Sequence, residues 1–192
     1  MGSLPIRLDA GMNDEASADA VIEFWRQAGP QRWFAKDAAF DAQFRTRFLA
    51  LHERAAGGEL DGWASNAPGA LALLILLDQF PRNAFRGSAR MYATDPQARR
   101  IARLALERDL DAQVPTELRN FMYLPLMHSE DPADQQLCVA KTAPLGGEAH
   151  RFALHHRDIV LRFGRFPHRN GVLGRTSTDE ERRFIADGGF AG

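Results

Sequence analysis

Apolar residues recur at helical spacing along most of the chain. The clearest case follows Asp37, a residue suited to an N-cap, where phenylalanines at positions 40, 44 and 48 fall on one helix face. Such an aromatic face is typical of a packed core rather than of a ligand site. The stretch from Pro68 to Leu77 is apolar on every side, which predicts a helix that is surrounded by its neighbours.

Asp78 follows this apolar stretch and is expected to mark the C-terminal end of the buried helix. A carboxylate is disfavoured there, because the helix dipole places partial negative charge at that end. Burying such a charge also requires a cationic partner. Arg82 and Arg86 are the nearest candidates, and the arginines after residue 160 are the distant ones.

Capping residues, prolines and glycines divide the rest of the chain into further helices. The predicted boundaries are a start at Asn13 or Ser17, an end at Gly29-Pro30, starts at Thr94 or Asp95, at Pro115 or Thr116 and at Ser129 or Pro132, a kink at Pro125, a helix over about 148–163, and a last helix capped by Ser177 with Glu180. No segment has the alternation of a β-strand. The pattern predicts an all-α fold, an antiparallel helix-turn-helix array of seven to eight helices. We expect residues 1–12 to form a loose tail and 13–192 a single all-helical domain.

Composition and charge narrow the classes of function. The 192 residues carry a formal net charge of −1, which makes nucleic acid an unfavourable partner. The longest apolar run, from Ala70 to Leu77, is too short to span a membrane. The N-terminus lacks an apolar signal segment and Cys138 is the single cysteine, so we expect a cytoplasmic protein without a disulfide. Only two basic residues are lysine and 22 are arginine, a bias that weakens the significance of any one arginine cluster.

The densest group of candidate binding residues lies between His155 and Phe184. Its cationic members are Arg162, Arg165, His168, Arg169 and Arg175. Arginine forks bind carboxylate and phosphate through paired hydrogen bonds, so these residues, together with Arg82, are candidates for anion binding. The same arginines are equally suited to a structural role, in which they pair with Asp78, Glu130 and Asp131.

Histidines beside carboxylates offer candidates for proton transfer and for metal binding. Asp78 and His128 are the candidate catalytic residues, since a histidine near a carboxylate can act as a general base. The segment after His128 is also suited to an ordinary helix N-cap at Ser129. His155 and Asp158 are three residues apart, but no zinc-binding motif is present, so we assign no metal and no cofactor.

Two further side chains with reactive groups are expected to be buried. His156 falls on the apolar face of its predicted helix, which is typical of a hydrogen-bonded core histidine. Cys138 stands between Leu137 and Val139 without a second cysteine at motif spacing, which is typical of a small buried side chain.

Several stretches resemble a known family, the mainly bacterial proteins grouped as domain of unknown function 924. They read WFAKD at 33–37, LDQFPRN at 77–83 with FRG at 85–87, YLPLMHSED at 123–131, and RFGRFPHRN at 162–170 with LGRTST at 173–178. The resemblance covers the chain from about residue 20 to its end. It implies an all-helical fold similar to that of tetratricopeptide-repeat proteins. It implies no settled activity and no assigned catalytic residues.

The sequence leaves more than one function open. The favoured hypothesis is a protein that binds or turns over a small anionic metabolite where the segments after Phe80, around His128 and from Arg162 to Arg175 converge. The alternative is a tetratricopeptide-like module that binds a protein or peptide without catalysis. Binding of RNA or a nucleotide through the arginine-rich turn is less favoured because of the net charge.

Overall fold

The computed structural model of the protein describes residues 17–190, and helices dominate this range. The α-helices are α1 (Ala18–Ala28), α2 (Pro30–Trp33), α3 (Ala38–Ala56), α4 (Ala67–Leu74), α5 (Phe80–Ala84), α6 (Asp95–Glu107), α7 (Thr116–Arg119), α8 (Leu124–Met127), α9 (Pro132–Thr142), α10 (Gly147–Phe163) and α11 (Asp179–Ala186). No strand forms between residues 17 and 190, so the predicted all-α class is confirmed. The predicted tail at 1–12 and the alternative cap Asn13 lie outside the described residues.

The eleven α-helices between residues 17 and 190 exceed the seven to eight predicted, because α2 and α5 were not predicted and one predicted helix is split. The helix expected after Pro115 is split into α7, a 3₁₀ turn at Asn120–Met122, and α8. Pro125 therefore lies in the first turn of α8, where no main-chain donor is needed, and it does not kink a longer helix. None of the helices within residues 17–190 is long and apolar enough to cross a membrane.

Several predicted caps are present, and two differ from the prediction. Ser17 and Asp37 cap α1 and α3 through their side-chain oxygens. The cap of α9 is Asp131 rather than Ser129, because the Asp131 carboxylate accepts from the Ala133 N–H at 2.8 Å. The Ser129 hydroxyl accepts from the Asp131 N–H, before the helix begins, and donates to the buried Asp134 at 2.7 Å. The last helix begins one residue later than expected, with a capping box formed by Thr178 and Glu181.

The core is built on aromatic rings from α1 and α3. Phe24 stacks on Phe40 and Phe44 with centroids 5.5 and 5.2 Å apart, and Phe48 meets it edge-on at 5.2 Å. These are the rings that the helical spacing placed on one face. Helix α4 packs against α1 and α6 and is buried throughout most of its length, as its uniformly apolar sequence predicts.

Asp78 is not at a helix end, which corrects the prediction. A single π-helical turn, Ile75–Gln79, joins α4 to α5 and carries the chain on to Ala84. Three successive carbonyls in this region accept hydrogen bonds from side chains: Leu76 from His52 at 2.9 Å, Leu77 from Thr94 at 2.5 Å and Asp78 from Arg82 at 2.8 Å. Pro81 has no N–H to offer Leu77, so Thr94 supplies the donor that the helix lacks.

The C-terminal elements pack as a smaller unit beside the main core. Helix α10 lies against α9 and ends at Gly164, which has φ of 71° as expected for a residue that terminates a helix in the left-handed region. Ile159, Val160 and Phe166 form a second apolar cluster, against which Phe184 and Phe190 pack. This packing brings the segment after α10 close to α6, where Arg169 lies 3.6 Å from Asp95.

Candidate functional site

A buried polar cluster surrounds the carboxylate of Asp78. We call Asp78, Arg82, Asp95, His128 and Arg169 the Asp78 cluster. Asp78 is 1% exposed, and its carboxylate lies 2.8 Å from His128 Nδ1 and 3.1 Å from Arg82 Nη1. The neighbouring Gln79 amide donates to its second oxygen at 2.6 Å. The π-helical turn places Asp78 here, and such turns are frequent at functional sites.

The protonation state of the cluster follows from its charges. Burial works to raise the pKa of Asp78, but the Arg82 charge and the His128 hydrogen bond outweigh it and lower this pKa to about 2. The carboxylate is therefore ionised at neutral pH and can only accept, so His128 donates from Nδ1. No residue within 17–190 forms a hydrogen bond to His128 Nε2, which carries the lone pair in this tautomer.

His128 is neutral under the same conditions. Burial and the nearby Arg82 charge lower the pKa of His128, although Asp78 opposes the shift. A neutral imidazole with Nδ1 bound to a carboxylate and Nε2 available is the arrangement that a general base requires. Asp78 and His128, the two candidate catalytic residues, are thus hydrogen-bonded to each other.

Arg82 is fully committed to carboxylates of the cluster. Its Nη1 and Nη2 donate to the two oxygens of Asp95 at 2.8 and 3.0 Å, and Nη1 also forms an ion pair with the Asp78 carboxylate. Burial disfavours its charge, but Asp78 and Asp95 together raise the pKa of Arg82. Arg82 therefore neutralises the interior carboxylates, which leaves it few donors for a ligand.

Arg169, unlike Arg82, donates no side-chain hydrogen bond to the residues between 17 and 190. It is 6% exposed, and its guanidinium lies 4.6 Å from the ring centroid of Tyr92 and 4.5 Å from that of Phe166. Its Nη1 is 3.6 Å from Asp95, beyond hydrogen-bond distance, and its buried Nε has no partner within residues 17–190. Burial and the Arg82 charge lower its pKa. A stacked, buried guanidinium with no hydrogen bond to the described residues is well placed to receive an anion.

An aromatic wall borders the cluster on the side of α10. His156 lies 6.2 Å from the His128 ring, donates from Nδ1 to the Phe152 carbonyl at 2.8 Å, and is buried as predicted. Burial is the main cause that lowers the pKa of His156 to about 3 and that of His168 to about 4. Both imidazoles are therefore neutral, and the buried His168 Nδ1 has no partner within the described residues.

The other predicted anion-binding arginines lie in a separate group of ion pairs. We call Glu130, Arg165, Arg175 and Glu181 the C-terminal network. Arg175 forms a paired contact with Glu130 at 2.8 and 3.0 Å, and Arg165 forms one with Glu181 at 2.6 and 2.8 Å. Arg162 pairs with Glu180 at the surface. The structure thus brings Arg82 and Arg169 together, and it gives Arg162, Arg165 and Arg175 carboxylate partners elsewhere.

Sequence reasoning missed three members of the site and its surroundings. Asp95 was expected only as a helix start, since a carboxylate there is typical of an N-terminus. Tyr92 and Phe190 lie outside any apolar periodicity, so no local signal singled them out. Gly188-Gly189 gave the one usable hint, because it predicts that the chain turns just before Phe190.

Two cavities in the structure lie away from the Asp78 cluster. One cavity of about 260 Å³ is bordered by Trp33, Phe34 and Phe121, and another of about 460 Å³ by Ile22, Leu71 and Leu118. Residues of the Asp78 cluster line neither of these two cavities. Within residues 17–190 no group of three histidine, cysteine or acidic side chains could hold a metal ion. Burial raises the pKa of the Cys138 thiol to about 12, which makes it a poor nucleophile.

Comparison with known proteins places the chain among relatives whose function is not established. Residues 21–189 match the family described as "Bacterial protein of unknown function (DUF924)". The solved structure of a protein of unknown function from Agrobacterium tumefaciens is similar with a TM-score of 0.87, at 54% sequence identity over 88% of this chain and 97% of that one. No curated protein matches the chain.

Proposed function

The chain belongs to the bacterial family of unknown function DUF924, and from that premise we propose that the Asp78 cluster binds a small anionic metabolite. The observation that carries the proposal is Arg169. A buried guanidinium without hydrogen bonds is costly, because desolvation removes water that nothing replaces. A carboxylate or phosphate would supply the missing acceptors in the paired geometry that arginine favours.

The surroundings of Arg169 prepare it for this role. Tyr92 and Phe166 hold the guanidinium from its sides, so little side-chain freedom would be lost when an anion binds. Asp95 forms its hydrogen bonds with Arg82 and lies 3.6 Å from Arg169 Nη1, so it offsets part of the Arg169 charge without accepting a hydrogen bond from it. The hydrogen-bond donors of Arg169 are therefore available to a ligand.

The Asp78–His128 pair adds a proton acceptor to the anion site. With Nδ1 held by Asp78, the lone pair on His128 Nε2 would accept a proton from a bound ligand. A ligand with an acidic proton near that atom would be a substrate, and one without it would only bind. This assigns Asp78 to orienting His128 and His128 to proton transfer.

The test is a thermal-shift screen against organic phosphates and carboxylates, followed by calorimetry on each hit. A ligand at a hundred times its dissociation constant adds about 2.7 kcal/mol to the free energy of unfolding. We expect Arg169→Ala to abolish the shift. Arg162→Ala removes an equal charge from the surface pair with Glu180 and should leave the shift unchanged.

A second control separates anion binding from general stability. Lys141→Ala should lower the melting temperature, because it leaves the buried Asp111 without its cationic partner, yet it should not alter ligand affinity. A hit that survives Arg169→Ala, or a panel in which nothing binds, would overturn the anion site.

One observation supports the alternative of a peptide-binding module. Phe34 is 65% exposed and stacks on Phe121 beside the 260 Å³ cavity. An exposed ring next to an apolar groove is typical of a surface that binds another chain. If no anion binds and Phe34→Ala abolishes binding of peptides selected from a random library, this function replaces the first.

A further inference from the structure

The ring of Phe190 occupies a space with aromatic walls. It meets the imidazoles of His155, His156 and His168 edge-on, with centroids 5.6, 4.7 and 5.1 Å away and interplanar angles of 79°, 65° and 85°. Phe166 contacts two of the same imidazoles, at 5.5 Å from His156 and 5.7 Å from His168. Edge-to-face geometry of this kind is how proteins hold an aromatic ring.

Phe190 is attached to the chain differently from the rings that surround it. His155 and His156 lie in α10, whereas Phe190 follows the Gly188-Gly189 pair after α11. The main chain of Gly189 still caps α11 through the Phe184 carbonyl, but Phe190 itself makes no hydrogen bond within residues 17–190. Its side chain is also only partly buried. The ring can therefore leave its space without breaking a hydrogen bond.

We propose that the space filled by Phe190 is a subsite for an aromatic ring of the ligand, and that Phe190 occupies it when the ligand is absent. This inference rests on the proposed function, which supplies the anionic end of the same ligand. The ligand class is then a small aromatic carboxylate or phosphate.

Phe166 lies between the proposed anion position and the proposed ring subsite. One side of its environment is the Arg169 guanidinium, 4.5 Å from the ring centroid, and the other is formed by His156 and His168, which contact Phe190. The ring subsite and the anion position therefore share a wall.

The histidines favour a ring over a second anionic group. Burial holds the pKa of His156 and of His168 well below 6.5, so their imidazoles are neutral and offer edges rather than charge. His168 Nδ1 is buried and has no partner among the described residues, so it could bond a polar substituent of the ring. Removing the Phe190 ring leaves a space bordered by imidazole rings, which a small aromatic molecule can fill with the same edge-to-face contacts.

The experiment compares three probes on the full chain by calorimetry. Inorganic phosphate tests the anion position, benzyl alcohol tests the ring subsite, and phenyl phosphate tests both. We expect Phe190→Ala to bind phenyl phosphate at least tenfold more tightly than the unaltered protein, because the internal competitor is gone, and to bind inorganic phosphate within twofold of it. Phe34→Ala removes a ring elsewhere and should change neither affinity.

The outcomes separate this inference from the proposed function. Equal phenyl phosphate affinity with and without Phe190, while inorganic phosphate still binds through Arg169, overturns the subsite alone. Binding of benzyl alcohol by Phe190→Ala without any anion binding supports the subsite and overturns the anion site. No binding of any probe to either protein overturns both.

A second measurement does not depend on the variant folding. In the unaltered protein, saturating phenyl phosphate should move the NMR resonances of the Phe190 ring towards those of an exposed phenylalanine. Unchanged Phe190 resonances with phenyl phosphate bound would show that the ring lies outside the binding site, and would overturn the subsite.

Discussion

His128 Nδ1 lies 2.8 Å from a carboxylate oxygen of Asp78, although 50 residues separate the two in the sequence. The bond fixes the tautomer of the imidazole and gives the buried carboxylate one of its donors. It joins the π-helical turn after α4 to the end of α8.

Asp78→Asn should destabilise the protein by about 2 to 4 kcal/mol. The carboxylate faces donors from Gln79, Arg82 and His128, and an amide would set an N–H against at least one of them. Urea denaturation measures the loss. Asp158→Asn, at a position 63% exposed in a surface pair with Arg157, should change stability little. Losses of similar size in the two variants would contradict the assignment of Asp78 as the centre of a buried network.

Stability should fall as the pH drops from 7 to 5. Burial lowers the pKa of His156 to about 3 in the folded protein, against about 6.5 in an unfolded chain. Below pH 6.5 the unfolded state binds the proton more readily, so acid favours unfolding, and the effect continues down to the folded pKa. Asp78 adds a similar loss only below about pH 4, since its pKa is held near 2.

The size of this effect and its origin can both be measured. One such histidine accounts for about 1 to 2 kcal/mol between pH 7 and pH 5, and His168 contributes with the same sign. Urea denaturation of His156→Phe, which keeps a ring in place, should show a smaller pH dependence than the unaltered protein. A stability that is flat between pH 7 and pH 5 would show that these imidazoles are not buried in the neutral form.

Thr94→Val should cost about 1 to 2 kcal/mol in the free energy of unfolding. The substitution preserves shape and removes the hydroxyl that donates to the Leu77 carbonyl at 2.5 Å. Pro81 cannot replace this donor, so a buried acceptor is left unsatisfied. Thr116→Val, at an exposed position, is the matched control for the change in side-chain chemistry. A cost no larger than that of the control would mean that the π-helical turn does not depend on Thr94.

The parts of the fold that sequence reasoning predicted are those with local causes. The aromatic face of α3 and the buried α4 follow from spacing and composition that can be read within twenty residues. The continuation of the helix past Asp78 could not be predicted from local sequence. Pro81 is typical of a helix end, and the side chains that allow the helix to continue, His52 and Thr94, come from distant positions.

In the candidate site, too, local sequence identified candidate residues but not their partners. Polar residues in the joints between helices drew attention to Asp78, His128 and Arg169, and the structure brings them close together. Arg165 and Arg175 had the same signal but have carboxylate partners of their own. The sequence does not show whether an acidic neighbour forms hydrogen bonds with an arginine or only lies near it, as Asp95 lies near Arg169, so only the folded arrangement distinguishes the two cases.

Arg169 contacts Tyr92 and Asp95, which the ribosome synthesises well before it. Proteins emerge from their N-terminus, and the nine helices through α9 can pack before residue 169 has been synthesised. At that stage Asp78, Arg82 and His128 are in place, while the guanidinium that would receive an anion is still missing. A chain that ends before residue 169 would therefore be folded for most of its length and would lack the guanidinium that the proposed function requires.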